Sequence, residues 1–385
     1  MKTTPWMVSI GIAWIVLGVS GCRTDPPTAK AADTGGVMPV VETVVSNIPE
    51  PVALAPLSPT VWLVAERRTG NIRWLEKNVL RAEPFATVSV PKPSGSNGYG
   101  LLGLAVHPDY PTQPYVYAFY TFAGADGNAA GQRIVRFTVQ QGKGVNPQVI
   151  IDNLPVGIQM GGRIAFGPDK KLYVTLGDTQ RQDQAQEYGA LPGKVLRYNA
   201  DGSIPGDNPL EEADVHPTRA GMGTDQPLEE KHTPVYALGF RNPFGIAFNP
   251  DTGDLFVTDN GPNHDDEIDH VIGGDNYGWP AVTGLADDPR FHPPLWASGK
   301  TTIAPTGAAF YTGTDLPQFY GNLFFAAAND GKLRRVVFTD ADNIAGVTAV
   351  PEAGNRAKLA VAMGPDGALY FTSTNAIYRL RAAQK

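Results

Sequence analysis

The sequence predicts an all-β fold, a six-bladed β-propeller, and three observations support this prediction. First, 43 glycines and 34 prolines among 385 residues, with 42% hydrophobic residues, indicate many short elements joined by many turns around a large core. Second, one pattern occurs six times: a small apolar triplet centred on alanine, a Pro/Asp/Gly turn, and an aromatic or aliphatic strand. Third, successive copies are 50 to 82 residues apart, which leaves room for a four-stranded sheet and its loops.

Residues 1–22 resemble a bacterial lipoprotein signal peptide. An apolar stretch from Trp6 to Val19 is short for a membrane span, and Val19-Ser20-Gly21-Cys22 resembles a lipobox. Cys22 is the only cysteine, so it cannot form an internal disulfide, and it stands where lipidation needs it. An ordinary signal peptide with an accidental cysteine is the alternative. We expect an exported, lipid-anchored protein that faces the periplasm, and Arg23 after the cysteine favours the outer membrane.

The rest of the chain is predicted to be a tether followed by one folded body. Residues 23–36 are small, polar and proline-containing, which is typical of a flexible tether. The propeller is assigned to residues 37–385. Its first strand, residues 40–45, has no blade of its own and is expected to pair with the last blade, which closes the ring. A net charge of -7 and the lack of a basic run argue against nucleic-acid binding.

Six alanines mark the predicted inner strands. Small side chains suit strands that crowd around a central channel, where large side chains would collide. The six anchor alanines are Ala55, Ala105, Ala165, Ala247, Ala309 and Ala362. The interval of 82 residues between the third and fourth anchors predicts an elaborated loop in the third blade.

Residues 235–280 contain the densest cluster of polar, glycine and acidic residues. Two β-rich runs around a turn predict a hairpin over residues 245–257. Arg241-Asn242 precedes the hairpin, while Gly261-Pro262 and the acidic run 265–267 follow it. If strand ends line a pocket, this hairpin brings an anion clamp and a cation site to neighbouring edges of it.

These residues resemble the glucose/sorbosone dehydrogenase family, and the resemblance covers most of residues 40–382. The motifs that carry it are Gly100–Ala105, Gly161-Gly162-Arg163, Leu176-Gly177-Asp178, Gly193–Arg197, Arg241-Asn242-Pro243, Gly261-Pro262 and Asn276–Pro280. The resemblance implies a six-bladed propeller that binds pyrroloquinoline quinone (PQQ) and calcium at the channel mouth. It also implies oxidation of the C1 hydroxyl of an aldose, with electrons passed to a periplasmic acceptor.

The resemblance also assigns roles to individual residues. Arg241 would polarise the quinone carbonyl that receives hydride, and Asn242 would contact the cofactor. The position of the family's catalytic histidine is Gln159, and Asp178 corresponds to the aspartate that orients that histidine. The oxygen donors for calcium would come from Gly261, Pro262, Glu267 and the main chain near Tyr277.

Several positions depart from the family pattern. Phe244 replaces a glutamine, and the paired arginines fall at Ala357 and Leu359, with Arg356 and Lys358 one position out of phase. A one-residue shift in a strand turns a side chain to the other face. PQQ carries several carboxylates, so the missing arginines are expected to weaken its binding.

Glutamine is not a usable base near neutral pH, so Gln159 predicts sugar oxidation that is weak or lost. His264 is a candidate replacement base because it lies in the loop that begins at Gly261, and the favoured alternative is an ordinary exposed histidine. Two alternative functions remain. One is a non-catalytic propeller that binds a ligand or partner, and the other is a calcium-dependent hydrolase such as a lactonase.

Overall fold

The polypeptide forms six antiparallel sheets arranged as the blades of a propeller, which confirms the predicted fold. The computed structural model describes residues 37–92, 98–210, 233–340 and 342–383. Contacts divide the chain into Met1–Gly35 and Gly36–Lys385, and the blades belong to the second unit. The predicted signal peptide, Cys22 and the tether lie outside the described residues. Within those ranges, no helix is long and apolar enough to cross a membrane.

The strands follow the chain around the ring. Strand β1 (Pro39–Ser46) is the outermost strand of blade 6. Blade 1 contains β2 (Pro51–Ser58), β3 (Val61–Glu66), β4 (Asn71–Glu76), β5 (Val79–Leu80) and β6 (Ala86–Thr87). Blade 2 contains β7 (Leu101–Val106), β8 (Tyr115–Ala123), β9 (Ala129–Gln140) and β10 (Lys143–Leu154). Blade 3 contains β11 (Gly161–Phe166), β12 (Leu172–Leu176), β13 (Lys194–Tyr198) and β14 (Val235–Leu238).

The second half of the ring has the same plan. Blade 4 contains β15 (Pro243–Phe248), β16 (Leu255–Asp259), β17 (Glu267–Val271) and β18 (Trp296–Ala297). Blade 5 contains β19 (Pro305–Phe310), β20 (Leu323–Ala327), β21 (Leu333–Phe338) and β22 (Ile344–Ala349). Blade 6 contains β23 (Val361–Met363), β24 (Leu369–Thr372), β25 (Ala376–Ala382) and β1. Short 3-10 turns span Gln182–Gln186, Pro317–Phe319 and Pro351–Ala353.

All six anchor alanines lie on the innermost strands, as predicted, and all six line the central channel. Each one also packs in a hydrophobic cluster between its own blade and the next. Ala105, for example, packs against blade 3, whereas Ala362 packs against blade 1 and so completes the circle. A small side chain is therefore needed for two reasons: the channel is narrow, and the neighbouring inner strand approaches closely.

The first strand closes the ring, which confirms that prediction. β1 pairs antiparallel with β25 from Pro39 opposite Ala382 to Ser46 opposite Ala376. Glu42 on β1 accepts hydrogen bonds from Arg379 (2.7 Å) and from Arg381 on β25. The closure thus joins the two ends of the described chain through a main-chain ladder and a charged clamp.

We expect Glu42→Gln to lower the free energy of unfolding by about 1 kcal/mol at pH 7, because the clamp is partly exposed. Hydrogen bonds from Arg381 and Arg379 lower the pKa of Glu42 to about 2. A carboxyl whose folded-state pKa is depressed stabilises the fold above its unfolded pKa and loses that contribution as pH falls. The difference in the free energy of unfolding between the wild type and Glu42→Gln, measured by urea titration, should therefore shrink as the pH falls from ~4.5 to ~2. Glu83→Gln, at an exposed carboxylate, is the control and should change little. A difference that is constant with pH would contradict this account.

Candidate active site and carboxylate cluster

Loops of blades 3 and 4 bring the predicted catalytic residues together at one end of the propeller. Gln159 precedes β11, Asp178 follows β12, and Arg241-Asn242 precedes β15. Main-chain hydrogen bonds connect these loops, because the Thr179 N–H donates to the Gln159 carbonyl (2.9 Å) and the Asp178 N–H donates to the Arg241 carbonyl (2.8 Å). The Asn242 side-chain oxygen accepts the Gly161 N–H (3.0 Å). Residues far apart in sequence thus form one site.

Asp178 is buried and bonded to an indole. Its Oδ2 accepts a hydrogen bond from Trp279 Nε1 (2.9 Å), and its Oδ1 accepts the Gln180 N–H (2.8 Å). Burial raises the pKa of this carboxyl. The Gln159 side chain makes no hydrogen bond to any described residue. Trp279, which the sequence suggested only as part of a family motif, is therefore the side-chain partner of the aspartate here.

Arg241 is held by main-chain groups and by one carboxylate beneath it. Its Nη1 donates to the carbonyls of Asn260 (2.9 Å) and Gly261 (2.7 Å). The main-chain N–H groups of Arg241 and Asn242 donate to the two oxygens of Asp259 (2.8 and 2.6 Å). Within the described ranges the guanidinium pairs with no carboxylate, so Nη2 and Nε are available to a ligand. The Gly261 carbonyl, predicted to bind calcium, is engaged by Arg241.

Three carboxylates form a cluster directly behind this arginine. Oxygens of Asp259, Glu267 and Asp269 lie within 4.8 Å of one another. The strand register explains the cluster: Asp259 on β16 pairs opposite Glu267 on β17, and Asp269 lies two residues further on the same face. Asp269 is fully buried, and neither of its carboxylate oxygens has a hydrogen-bond partner in the described structure.

This cluster has the chemistry of a cation site. Burial raises the pKa of Asp259 to about 7 and that of Glu267 to about 8, and it raises the pKa of Asp269 well above its ordinary value. Three clustered carboxylates, of which Asp259 and Asp269 are buried, repel one another when ionised, and a bound cation would remove that cost. An oxygen-only donor set fits calcium. Because Asp259 also holds the N–H groups of Arg241 and Asn242, a cation here would support the residues at the site.

The structure does not bring all of the residues predicted to bind calcium together in one place. Glu267 belongs to the cluster, and its Oε1 also accepts the Gly284 N–H (2.5 Å). The Tyr277 hydroxyl donates to the His270 carbonyl (2.6 Å) and accepts the Ile272 N–H, so the phenol is directed to main-chain groups. Sequence reasoning missed Asp259 and Asp269. The available signal was the pair of acidic residues at alternate positions in the otherwise buried strand β17.

The remaining members of the acidic loop have structural partners. Asp266 is fully buried and accepts main-chain N–H groups of Gly261, Ile303 and Ala304, which fastens the loop to blade 5. His264 is exposed, and its Nδ1 lies 2.7 Å from Asp265 Oδ2. No described contact joins His264 to Gln159 or Asp178, so its suggested role as a replacement base stays a prediction.

The positions of the family's paired arginines offer no cation here. Ala357 is buried in the cluster between blades 5 and 6. Arg356 donates to the Ala353 carbonyl (2.9 Å) and lies 5.2 Å from the ring of Tyr378 on β25, the third strand of its sheet. Lys358 Nζ donates to the Ala328 carbonyl (2.8 Å). Of the positions that the family resemblance assigns to the cofactor, Arg241 is therefore the one that offers a guanidinium in the described structure.

Comparison with known proteins identifies the family of the chain. The family model for glucose/sorbosone dehydrogenases matches residues 48–381. The chain is 35% identical over 258 residues to quinoprotein glucose dehydrogenase B of Acinetobacter calcoaceticus, covering 59% of this chain and 49% of that protein, so the match spans about half of that relative's length. It is 27% identical to an aldose sugar dehydrogenase of Escherichia coli K12, covering 86% and 88% of the two chains.

A solved structure of the PQQ-bound aldose sugar dehydrogenase of Streptomyces coelicolor superposes with a TM-score of 0.74 at 27% identity, covering 90% of this chain and 99% of that one. The family model covers far more than half of the sequence, and the relatives share the propeller and the sugar-oxidising description. This chain belongs to the glucose/sorbosone dehydrogenase family.

Proposed function

We propose that this protein is a PQQ-dependent sugar dehydrogenase whose turnover is slow. When bound, PQQ would accept hydride from the C1 carbon of an aldose. The observation that carries the proposal is the placement of Arg241: its guanidinium has no carboxylate partner in the described structure, and Asp259 fixes its main chain from behind. An arginine held in this way can donate N–H groups to an oxygen that gains negative charge during the reaction.

Proton removal from the sugar hydroxyl is the weak step. Gln159 occupies the position of the family's base, and an amide cannot accept that proton near neutral pH. Asp178, the nearest carboxylate along the connected loops, is engaged by the Trp279 indole and the Gln180 N–H. Among the described residues, the site therefore keeps the group that stabilises charge but shows no free base in contact with Gln159 or Arg241.

Calcium is proposed at the cluster of Asp259, Glu267 and Asp269. The unpartnered, fully buried oxygens of Asp269 are the main support. The cation would neutralise the cluster and so stabilise the segment that carries Arg241-Asn242. PQQ would be held at the site by Arg241 and Asn242, and we expect its affinity to be low because Ala357 and Leu359 supply no charge to its carboxylates.

Two other functions compete with this one. A non-catalytic binding propeller is favoured by Gln159 and Phe244. A calcium-dependent hydrolase is disfavoured, because a catalytic metal needs an open coordination position for substrate or water. Asp259 and Asp269 are buried, and the described channel wall carries no carboxylate.

The proposal is tested by dye-linked oxidation of a panel of aldoses by the purified protein, with and without added PQQ and calcium. We expect a slow rate that requires PQQ. Equal rates without PQQ, or no oxidation of any aldose at saturating PQQ, would contradict the proposal. In the second case the binding function would become the better account.

We further propose that the protein is exported and anchored by a lipid on Cys22. The support is the sequence Val19-Ser20-Gly21-Cys22. Cys22→Ser is expected to release the protein from membranes or to leave its precursor unprocessed, as judged by membrane fractionation and mass spectrometry. Ser20→Ala is the control and should leave the anchor in place. Normal processing and unchanged fractionation of Cys22→Ser would refute the anchor.

A further inference from the structure

A tunnel of about 550 Å³ runs along the propeller axis, inside the ring of inner strands. Its wall consists of 25 residues from all six blades, and all but two of the side chains are apolar. One is the hydroxyl of Thr312, which is exposed beyond the end of β19. The other is Arg163 on β11, the single charged residue of the wall.

Arg163 fills a position that the other blades leave empty. It lies two residues before an anchor alanine, and the equivalent positions are Ala53, Gly103, Gly245, Gly307 and Ala360. The space there is limited, since a Cβ atom on Gly103 would lie 2.7 Å from the Gly162 carbonyl oxygen. At this level of the axis, five small residues surround one large cationic side chain.

The guanidinium bridges three blades without meeting a counter-charge. Its Nη1 donates to the Leu102 carbonyl of blade 2, and its Nη2 donates to the Leu359 carbonyl next to blade 6 (2.9 Å). It lies 4.5 Å from the centre of the Phe244 ring of blade 4. Arg163 is only 7% exposed, and it contacts no carboxylate in the part of the chain that the structure describes. A guanidinium has five N–H donors, so two hydrogen bonds leave donors unused.

The electrostatic environment favours an added anion. Burial and the nearby charge of Arg67 lower the pKa of Arg163 to about 9. A buried cation without a partner costs free energy, and a carboxylate with two oxygens can remove that cost by pairing with the planar guanidinium. The alanine and aliphatic side chains next to it offer contacts to an apolar group.

We propose that the tunnel binds an amphipathic monocarboxylate, with its carboxylate on Arg163 and its hydrocarbon chain along the anchor alanines. The tunnel volume is within the range of about 300–1,000 Å³ that is typical of small-molecule sites. The wall extends to Pro108, Pro250 and Thr312, in the turns that follow the inner strands, whereas the catalytic loops precede those strands. The ligand therefore enters from the face opposite the catalytic loops, and this site does not depend on the proposed sugar oxidation.

Isothermal titration calorimetry of the purified protein tests the proposal with three probes of one chain length: octanoate and octylammonium below their micelle concentrations, and octanol below its solubility limit. We expect octanoate to bind and the other two to bind about tenfold more weakly or worse, because only the carboxylate can accept hydrogen bonds from the guanidinium. Absence of octanoate binding, or equal binding of octanol, would overturn the proposal.

Arg163→Met is expected to weaken octanoate binding about tenfold or more, and Arg335→Met, a matched loss of a partly buried cation on β21 outside the tunnel wall, should leave it unchanged. If Arg163→Met does not fold, Ala362→Leu narrows the wall and keeps the cation. This variant should weaken the binding of octanoate more than the binding of acetate. Unchanged octanoate affinity in the folded Arg163→Met protein would refute the site. Competition of octanoate by PQQ would also refute it, since that result would place the carboxylate on the catalytic side of Arg163.

Discussion

Gln159→His is expected to raise the rate of PQQ-dependent aldose oxidation by ~10²-fold or more, because general-base assistance is typically worth ~10²–10⁴ in rate. The position is favourable for this rescue. The Gln159 main chain is fixed by the Thr179 N–H (2.9 Å), and Asp178, on the connected loop, corresponds to the aspartate that orients the family's histidine. The measurement is the initial rate with saturating PQQ and calcium, wild type against variant.

Two controls make this result specific. Gln159→Asn supplies no base and should show no gain. His264→Ala should leave the wild-type rate unchanged, because the His264 ring is exposed and lies against Asp265. A fast wild-type enzyme that loses its activity in His264→Ala would place the base in the acidic loop and contradict the role assigned to position 159. A lack of gain in Gln159→His with PQQ bound would show that the base is not the limiting defect.

Calcium is expected to raise the melting temperature of the wild-type protein by about 5 °C at a concentration about 100-fold above its dissociation constant, where binding adds ~2.7 kcal/mol. Asp269→Asn should abolish most of this response, because it removes a fully buried charged ligand. In the presence of a chelator the variant should melt above the wild type, since the mutation removes a buried, unpartnered carboxylate.

Asp265→Asn is the matched control for the calcium measurement. Asp265 lies in the same acidic loop, but its side chain contacts His264 and Thr283 and is not part of the cluster. This variant should respond to calcium as the wild type does. A full calcium response in Asp269→Asn, or loss of the response in Asp265→Asn, would show that calcium binds outside the proposed cluster.

The fold could be predicted from the sequence because its signals are local. Each blade repeats an alanine, a turn and a strand. In blade 3 the aspartate of the repeated turn accepts a hydrogen bond from Tyr173, a residue of the following strand, and in blade 6 Asp366 and Tyr370 do the same. Such contacts span four residues, so they are visible as a sequence pattern. The closure by residues 40–45 was predictable for a related reason, since a surplus strand needs a partner.

The site could be predicted only in part, because its geometry depends on contacts between distant segments. Arg241 and Asn242 were identified through a family motif. Asp269 was not identified, because its place in the carboxylate cluster depends on the β16–β17 register, which sets Asp259 opposite Glu267. Arg163 was noticed only within a motif, because its importance arises from the five small residues that surround it on other blades. The roles of Gly261 and Pro262 in calcium binding stay predictions.

The most direct test of the proposed function is the absorbance spectrum of PQQ titrated into the calcium-loaded protein, followed by addition of an aldose. The account predicts a saturable change in the quinone spectrum at a high dissociation constant, and then slow conversion to the reduced spectrum after the sugar is added. A bound quinone that no aldose reduces, or a spectrum that the protein leaves unchanged at every concentration, would contradict sugar oxidation.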